Sequence, residues 1–200
     1  MLRTLFRGGF IGGLVAFLWT AFSWSALSWH QAGLHALPDE AAAQAFLREA
    51  APRSGIYLLP NPHRHGDALT ADSLTARLDR QLAASRTGPV AFLAVRAEGQ
   101  DLAHPAWFLN TLLIHLVGAT LLTLLVLPLR HLPFWRRWLT VELAVLAGAW
   151  LTLLPAWNWW HAGPAWTLTL LADLLVGWGI AGLVIAWASG PVRRFAPSTP

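Results

Sequence analysis

Apolar residues along the chain gather into four long runs, and each run is long enough to cross a membrane as a helix. The runs cover about Gly8–Trp29, Pro105–Leu127, Trp138–Trp157 and Pro164–Trp187. Because a helix needs roughly 20 consecutive apolar residues to cross the hydrocarbon core, we predict an all-α membrane protein built as a four-transmembrane-helix bundle. The first run follows two arginines, as in a signal peptide, but its length and its tryptophans indicate a retained signal-anchor helix.

Residues 31–104, between the first and second runs, have the pattern of a small α+β domain. Pro38–Ala51 has a helical composition, and Ser54–Pro60 and Val90–Glu98 are short apolar runs of the strand type. A second helix is predicted between the two strands, with leucines at four-residue spacing at Leu74, Leu78 and Leu82. Roughly seventy residues without disulfides make a marginal core, so we expect this domain to lean on the bundle, on a second copy or on another protein.

The charges support the membrane assignment and give it a direction. Hydrophobic residues make up 56% of the chain and charged residues 12%, against about 25% charged in an average soluble domain. Seven arginines flank the spans on one side, at Arg3, Arg7, Arg130, Arg136, Arg137, Arg193 and Arg194. By the positive-inside rule the bundle is N-in and C-in, and residues 31–104 are extracytoplasmic. The net charge of +4 therefore comes from membrane flanks and predicts no nucleic-acid partner.

This topology divides the chain into four parts. They are residues 1–30 (N-terminus and first helix), 31–104 (extracytoplasmic α+β domain), 105–189 (second to fourth helices) and 190–200 (cytoplasmic tail). The chain has no cysteine, which excludes disulfides, thiolate metal sites and covalent c-type haem attachment.

Small residues predict close helix contacts at two places. The first helix carries two overlapping GxxxG pairs, Gly8 with Gly12 and Gly9 with Gly13. In the fourth helix Asp173, Gly177 and Ala181 recur every four residues, so one face is a small-residue stripe that carries a single acid. Such residues let helices approach closely, within one chain or between protomers.

His115 and Asp173 are predicted to form a buried polar pair. Counted from Pro105 and Pro164 at 1.5 Å per residue, both lie about 14–15 Å below the outer surface. An ionisable group at that depth is either a structural tie between helices or a functional site, such as a proton relay or a ligand contact. The sequence leaves these alternatives open.

Two further sets of residues are candidates for ligand binding. An aromatic pocket near mid-membrane, for a lipid tail, quinone or porphyrin, would be lined by Trp19, Asn110, Thr111, Trp150 and Trp178. Histidines that could bind a metal or haem gather on the outer side at His30, His63, His65, His104 and His161. The histidine spacing matches no zinc motif. The sequence favours bulky core filling for the aromatic set and solvated or interfacial placement for the histidines.

No enzyme signature is present: the chain lacks GxSxG, a P-loop, HExxH and GxGxxG. Ser23, Ser25 and Ser28 lie on the first helix with no evident base nearby. The leading hypothesis is a non-catalytic accessory or scaffold subunit that dimerises or supports a larger membrane complex. Its partners are the lipid bilayer and either a second copy or other membrane subunits. The alternatives are a membrane protein that binds a metal, haem or lipid-like ligand, and a small proton-coupled transporter.

Three segments carry a resemblance to other sequences. They are Ser28-Trp29-His30 at the end of the first run, SGIYLLPNP at Ser54–Pro62 and DLLVGWGIAGL at Asp173–Leu183. In these and in its layout the chain resembles a group of small bacterial four-span inner-membrane proteins with no assigned activity. The resemblance implies a bacterial cytoplasmic membrane and carries no catalytic residue across.

The predicted topology can be tested with single cysteines, because the chain has none of its own. We expect a membrane-impermeant maleimide to label Gln100→Cys in intact cells and to label His131→Cys only after the membrane is permeabilised. Labelling of His131→Cys in intact cells would overturn the orientation.

Overall fold

The computed structural model describes residues 1–61 and 71–191, apart from the side chains of Ala71 and Asp72. The described helices and strands are α1 (Leu2–Leu5), a π-helix (Phe6–Ile11), α2 (Gly12–Ala26), a 3₁₀ helix (Ser28–Gly33), α3 (Glu40–Ala50), β1 (Gly55–Leu59), α4 (Ala71–Thr87), β2 (Ala91–Val95), α5 (Pro105–Val126), a 3₁₀ turn (Leu127–Leu129), α6 (Phe134–Trp160) and α7 (Pro164–Ala188). Four continuous helical stretches are long and apolar enough to span a membrane: Leu2–Ala26, Pro105–Leu129, Phe134–Trp160 and Pro164–Ala188. The protein is therefore a multi-pass membrane protein with a helical bundle.

The chain separates into two compact units. One unit contains Met1–Leu34 and the chain from Leu102 onward, and it holds the four long helices. The other, His35–Asp101, contains α3, α4 and the two strands, and we call it the hairpin unit. Each unit is described separately below.

Helix α7 is the centre of the bundle. It packs against α2, α5 and α6, and α2 in turn packs against α5. The apolar core contains Ala119, Val126, Val141 and Ile185. The buried residues of α7 include Asp173, Gly177 and Ala181, so its small-residue stripe faces the neighbouring helices.

The glycines of the first span are used for packing within the chain. A side chain at Gly8 or Gly9 would overlap Thr123 or Thr120 of α5. A Cβ at Gly13 would lie 2.7 Å from Leu116 Cα, so the two backbones are almost in contact there. Both threonine hydroxyls donate to carbonyls of their own helix, so the close approach leaves neither hydroxyl without a partner.

The first span ends earlier than the sequence predicts. The helix stops at Ala26 rather than near Trp29, because Leu27 is extended (φ −100°, ψ 131°). The 3₁₀ helix Ser28–Gly33 then lies alongside α7, where Thr169 Oγ1 donates to the Trp29 carbonyl at 3.5 Å. Backbone that is not α-helical is tolerated at membrane depth when it packs against protein instead of lipid.

Arg137 fixes the opposite end of the bundle. Its side chain is buried, with Nε donating to the Ala186 carbonyl at 3.0 Å. Nη1 donates to the carbonyls of Arg130 and Leu132 in the short α5–α6 turn. One guanidinium thus joins the end of α7 to the turn between its two neighbours.

The hairpin unit has the predicted order of helix, strand, helix and strand. Asp39 caps α3 by accepting a hydrogen bond from Ala42 N at 2.8 Å. The strands pair antiparallel, with Tyr57 opposite Leu93. Beyond the strand ends, Ser54 Oγ donates to Glu98 Oε2 at 2.5 Å, and this bond holds the pKa of Glu98 below its usual range.

Candidate functional site

The carboxylate of Asp173 lies inside the bundle and is held from the first span. Trp19 of α2 donates its indole N–H to Asp173 Oδ1 at 2.7 Å. The other oxygen, Oδ2, lies 3.7 Å from Nε2 of His30 in the 3₁₀ helix. An acid in hydrocarbon is costly unless polar groups surround it. Here the donor Trp19 and the nearby imidazole of His30 lie before and after one break in the first span.

Ser23 completes this group, which we call the Asp173 cluster (Trp19, Ser23, Trp29, His30 and Asp173). Trp29 Nε1 donates to Ser23 Oγ at 3.0 Å, and the same oxygen lies 3.0 Å from His30 Nε2. The imidazole of His30 is only 3% exposed and stacks on Trp24 at a centroid distance of 4.0 Å. The sequence places His30 at the outer membrane boundary, but the structure turns it back into the bundle.

Serine, histidine and aspartate therefore meet, but not as a catalytic triad. In a triad the acid bonds Nδ1 while the serine faces Nε2. Here Ser23 and Asp173 both face Nε2 of His30, and Nδ1 is buried without a hydrogen-bond partner among the described residues. The acid cannot orient the ring for proton abstraction from Ser23. The expectation that no base lies near Ser23 was wrong, yet the geometry still does not support hydrolysis.

His115 belongs to a second, separate group. Its Nδ1 lies 2.7 Å from the Thr111 carbonyl and its Nε2 lies 3.0 Å from Thr20 Oγ1. Because a carbonyl only accepts, Nδ1 donates to it, while Nε2 shares the second bond with the Thr20 hydroxyl. The ring also stacks on Trp178 at 5.8 Å. Both nitrogens therefore have a hydrogen-bond partner.

The predicted pairing of His115 with Asp173 is therefore not formed. Each side chain takes its partners from α2 or the segment after it: Trp19 and His30 for the acid, Thr20 for the imidazole. The reason is positional, since Trp19 and Thr20 are consecutive and point to α7 and α5 respectively. Equal depth in two spans does not determine which side chains meet, because α2 lies against both helices.

Trp19 and Trp178 each pack against a glycine of a neighbouring helix. A Cβ at Gly177 would lie 2.5 Å from Trp19 Cδ1, and a Cβ at Gly118 would lie 2.9 Å from Trp178 Cη2. The missing side chains leave the space that lets the rings enter between helices. Gly177, in the small-residue stripe of α7, thus leaves the space that the Trp19 ring fills when it donates to Asp173.

The five predicted pocket residues do not line one cavity. Trp19, Thr111 and Trp178 lie in the bundle, and the Thr111 hydroxyl donates to the Trp107 carbonyl. Asn110 is exposed, and Trp150 is 57% exposed on the outer surface of α6. There Trp150 borders an apolar groove of about 300 Å³ with Leu154 of the same helix and residues of α7.

The predicted metal-binding histidines are dispersed as far as the structure describes them. His63 and His65 lie outside the described residues. His30 is in the Asp173 cluster, His104 Nδ1 accepts from Ala106 N at 3.2 Å, and His161 is exposed at the end of α6. Within residues 1–61 and 71–191 no three side chains of His, Asp or Glu come together as a metal site. Metal or haem binding stays a prediction.

Glu142 is a polar residue whose surroundings the sequence does not reveal. One of its oxygens is buried without a hydrogen-bond partner in the described part of the chain, against Gly179 of α7. A Cβ at Gly179 would lie 3.3 Å from Glu142 Oε1. One turn away, Trp138 Nε1 donates to the Gly179 carbonyl at 2.9 Å, so α6 contacts this glycine through two polar side chains.

Comparison of the chain with protein-family models, curated proteins and solved structures finds no match. The resemblance to small bacterial four-span proteins therefore stays an expectation. The described polar groups at the centre of the bundle are bonded mainly to one another, and these bonds join α2 to α5 and α7.

The packing of Trp19 against Gly177 can be tested by adding one methyl group at Gly177. We expect Gly177→Ala to lower the free energy of unfolding by about 1–3 kcal/mol, because the added Cβ displaces Trp19 from Asp173. Denaturant unfolding of the detergent-purified protein measures this. Gly148→Ala is the matched control, since nothing lies within 4 Å of a Cβ there. Equal stability of both variants would contradict the role of Gly177.

Proposed function

We propose that this protein is a non-catalytic accessory or scaffold subunit of a membrane complex, which assembles through its hairpin unit. The observation that carries the proposal is a difference between the two units in how their side chains are used. The polar side chains of the Asp173 cluster, and His115 with Thr20, are engaged mainly with one another. In the hairpin unit, by contrast, the apolar side chains that would normally form a core stay exposed.

The hairpin unit buries very little of its own apolar surface. In its described part Ala51 is the one buried hydrophobic residue. On α4, Leu74, Leu78 and Leu82 share one face and are 58%, 51% and 48% exposed. We call these three residues the leucine face. Full burial of a leucine contributes about 1.5–3 kcal/mol. Because these three are already about half buried, covering each of them would contribute roughly half of that, about 1 kcal/mol.

The two-stranded sheet supports the same conclusion. Ile56 and Phe92 project from one side of it and Leu59 and Leu93 from the other, and all four are exposed. A lone two-stranded sheet with no covered face is marginal in water. The unit therefore gains stability from a second polypeptide that covers it.

The bundle offers fewer surfaces for assembly. GxxxG pairs are a common contact between protomers, but Gly8, Gly9, Gly12 and Gly13 are buried against other helices of this chain. We therefore assign assembly to the hairpin unit. The arginine-rich flanks support an inner-membrane protein with the hairpin unit on the extracytoplasmic side, where it would meet the outer part of a partner.

The other hypotheses have less support. His115 has both nitrogens satisfied by neighbours, which does not favour a proton relay through it. Nδ1 of His30 is the atom of the Asp173 cluster that lacks a partner among the described residues, and binding of a metal, haem or lipid-like ligand at that cluster rests on it alone.

The proposal predicts an assembly that depends on the leucine face. Purified in mild detergent, the wild-type protein should have a protein mass above that of one chain, as a dimer or with a co-purifying subunit. Leu78→Gln should weaken the association by about tenfold or more, because it places an amide at a covered apolar position. Light scattering with detergent correction measures the mass.

Ala76→Gln is the control, since position 76 is exposed on the opposite side of the same helix. It adds the same amide and should leave the mass unchanged. A wild-type protein that is a stable monomer with no co-purifying chain would overturn the proposal. So would equal effects of the two variants.

A further inference from the structure

The arginine-rich end of the bundle contains a cavity that is independent of the hairpin unit. Its volume is about 870 Å³, within the roughly 300–1,000 Å³ of pockets that hold small ligands. It lies between the start of the first span, the α5–α6 turn and the end of α7. Its lining includes the polar residues Thr4, Arg130, His131 and Ser189 and the apolar residues Leu127 and Pro128.

Ser189 supplies an unused polar group in this lining. The residue is 1% exposed, and its hydroxyl has no hydrogen-bond partner among the described residues. A buried hydroxyl without a partner costs about 1–3 kcal/mol, and a serine at a helix end would ordinarily bond a carbonyl of the preceding turn. The hydroxyl oxygen is itself covered, so its unused hydrogen bond becomes available to a bound acceptor when the side chain turns toward the cavity.

The charge around the cavity is positive. The sequence has no Asp or Glu in Met1–Leu34, in Leu127–Val141 or after Asp173. Arg7 stacks over Trp187 and Arg137 is committed to backbone carbonyls. Arg130, by contrast, lines the cavity and forms no ion pair with any described carboxylate.

Arg137 also reduces the repulsion that an anion in the cavity would meet at the end of α7. The carbonyls at a helix end carry a partial negative charge that repels anions, and the guanidinium of Arg137 covers the Ala186 carbonyl at the end of α7. The same side chain holds the carbonyl of Arg130 in the turn. The wall that bears Arg130 is thus fixed to the wall that bears Ser189.

We propose that this cavity binds the phosphate-bearing headgroup of an anionic phospholipid, with Arg130 pairing the phosphate and Ser189 Oγ donating to it. A lipid fits better than a free anion, because Leu127 and Pro128 line the cavity and Leu124, one turn earlier, is exposed on the bundle surface. An acyl chain can follow that surface while the headgroup occupies the polar end. Basic pockets between spans at this membrane face commonly bind anionic headgroups.

Calorimetric titration of the detergent-purified full-length protein tests the proposal. The three probes are dioctanoyl phosphatidylglycerol, dioctanoyl phosphatidylcholine and inorganic phosphate. We expect saturable binding of the anionic lipid, at least about tenfold tighter than that of the zwitterionic lipid or of phosphate. Equal binding of the two lipids would overturn the proposal, and so would phosphate binding as tight as that of phosphatidylglycerol.

Two variants separate a built site from general surface charge. Arg130→Gln should weaken phosphatidylglycerol binding by about tenfold, because it removes a charge-assisted bond. Arg136→Gln removes the same charge at the same end, but Arg136 is exposed and does not line the cavity, so binding should change little. Equal losses would show surface electrostatics only and overturn the site.

Ser189→Ala provides a check that does not depend on charge. It should weaken lipid binding severalfold while leaving the thermal stability of the lipid-free protein unchanged or higher, because the hydroxyl it removes is unpaired. Unchanged lipid affinity with Ser189→Ala would contradict the assigned role of the hydroxyl.

Discussion

The bundle depends on one requirement: the carboxylate of Asp173 must be given donors inside a membrane helix. Trp19 supplies one, and His30 approaches the other oxygen only because the chain leaves the helical path at Leu27 and turns back along α7. Without these contacts the acid would face lipid or neighbouring apolar groups at a cost of several kcal/mol. The contacts of this one acid explain why the first span packs closely against α7. They also explain why α2 ends at Ala26.

Glycine makes these contacts sterically possible. Tryptophan is too large to enter a helix interface unless the opposite residue is very small, and Gly177 and Gly118 meet this condition for Trp19 and Trp178. The glycines of the first span do the same for whole backbones against α5. Because lipid is as apolar as the core, close packing and polar bonds hold such helices together more than hydrophobic burial does. In this bundle, close packing and polar hydrogen bonds occur at the same positions.

Much of this fold follows from sequence patterns that depend on local physics. The lengths of the apolar runs predict the four spans. The sequence patterns of residues 31–104 predict the order of helices and strands in the hairpin unit. The partners of Asp173 do not follow, because depth along a helix says nothing about which helix lies opposite. His30 could be found only by recognising that the first span breaks at Leu27, and no proline or glycine marks that break. The four-residue recurrence of Asp173 and Gly177 did carry a signal, since a glycine one turn from an acid leaves room for a large donor.

Asp173 is thus coupled to the first span and not to His115. Double-mutant cycles in denaturant unfolding measure this coupling, with Asp173→Ala combined once with Trp19→Phe and once with His115→Phe. We expect a coupling of about 1 kcal/mol or more for Trp19, and a value within about 0.5 kcal/mol of zero for His115. A large coupling to His115 together with none to Trp19 would contradict it.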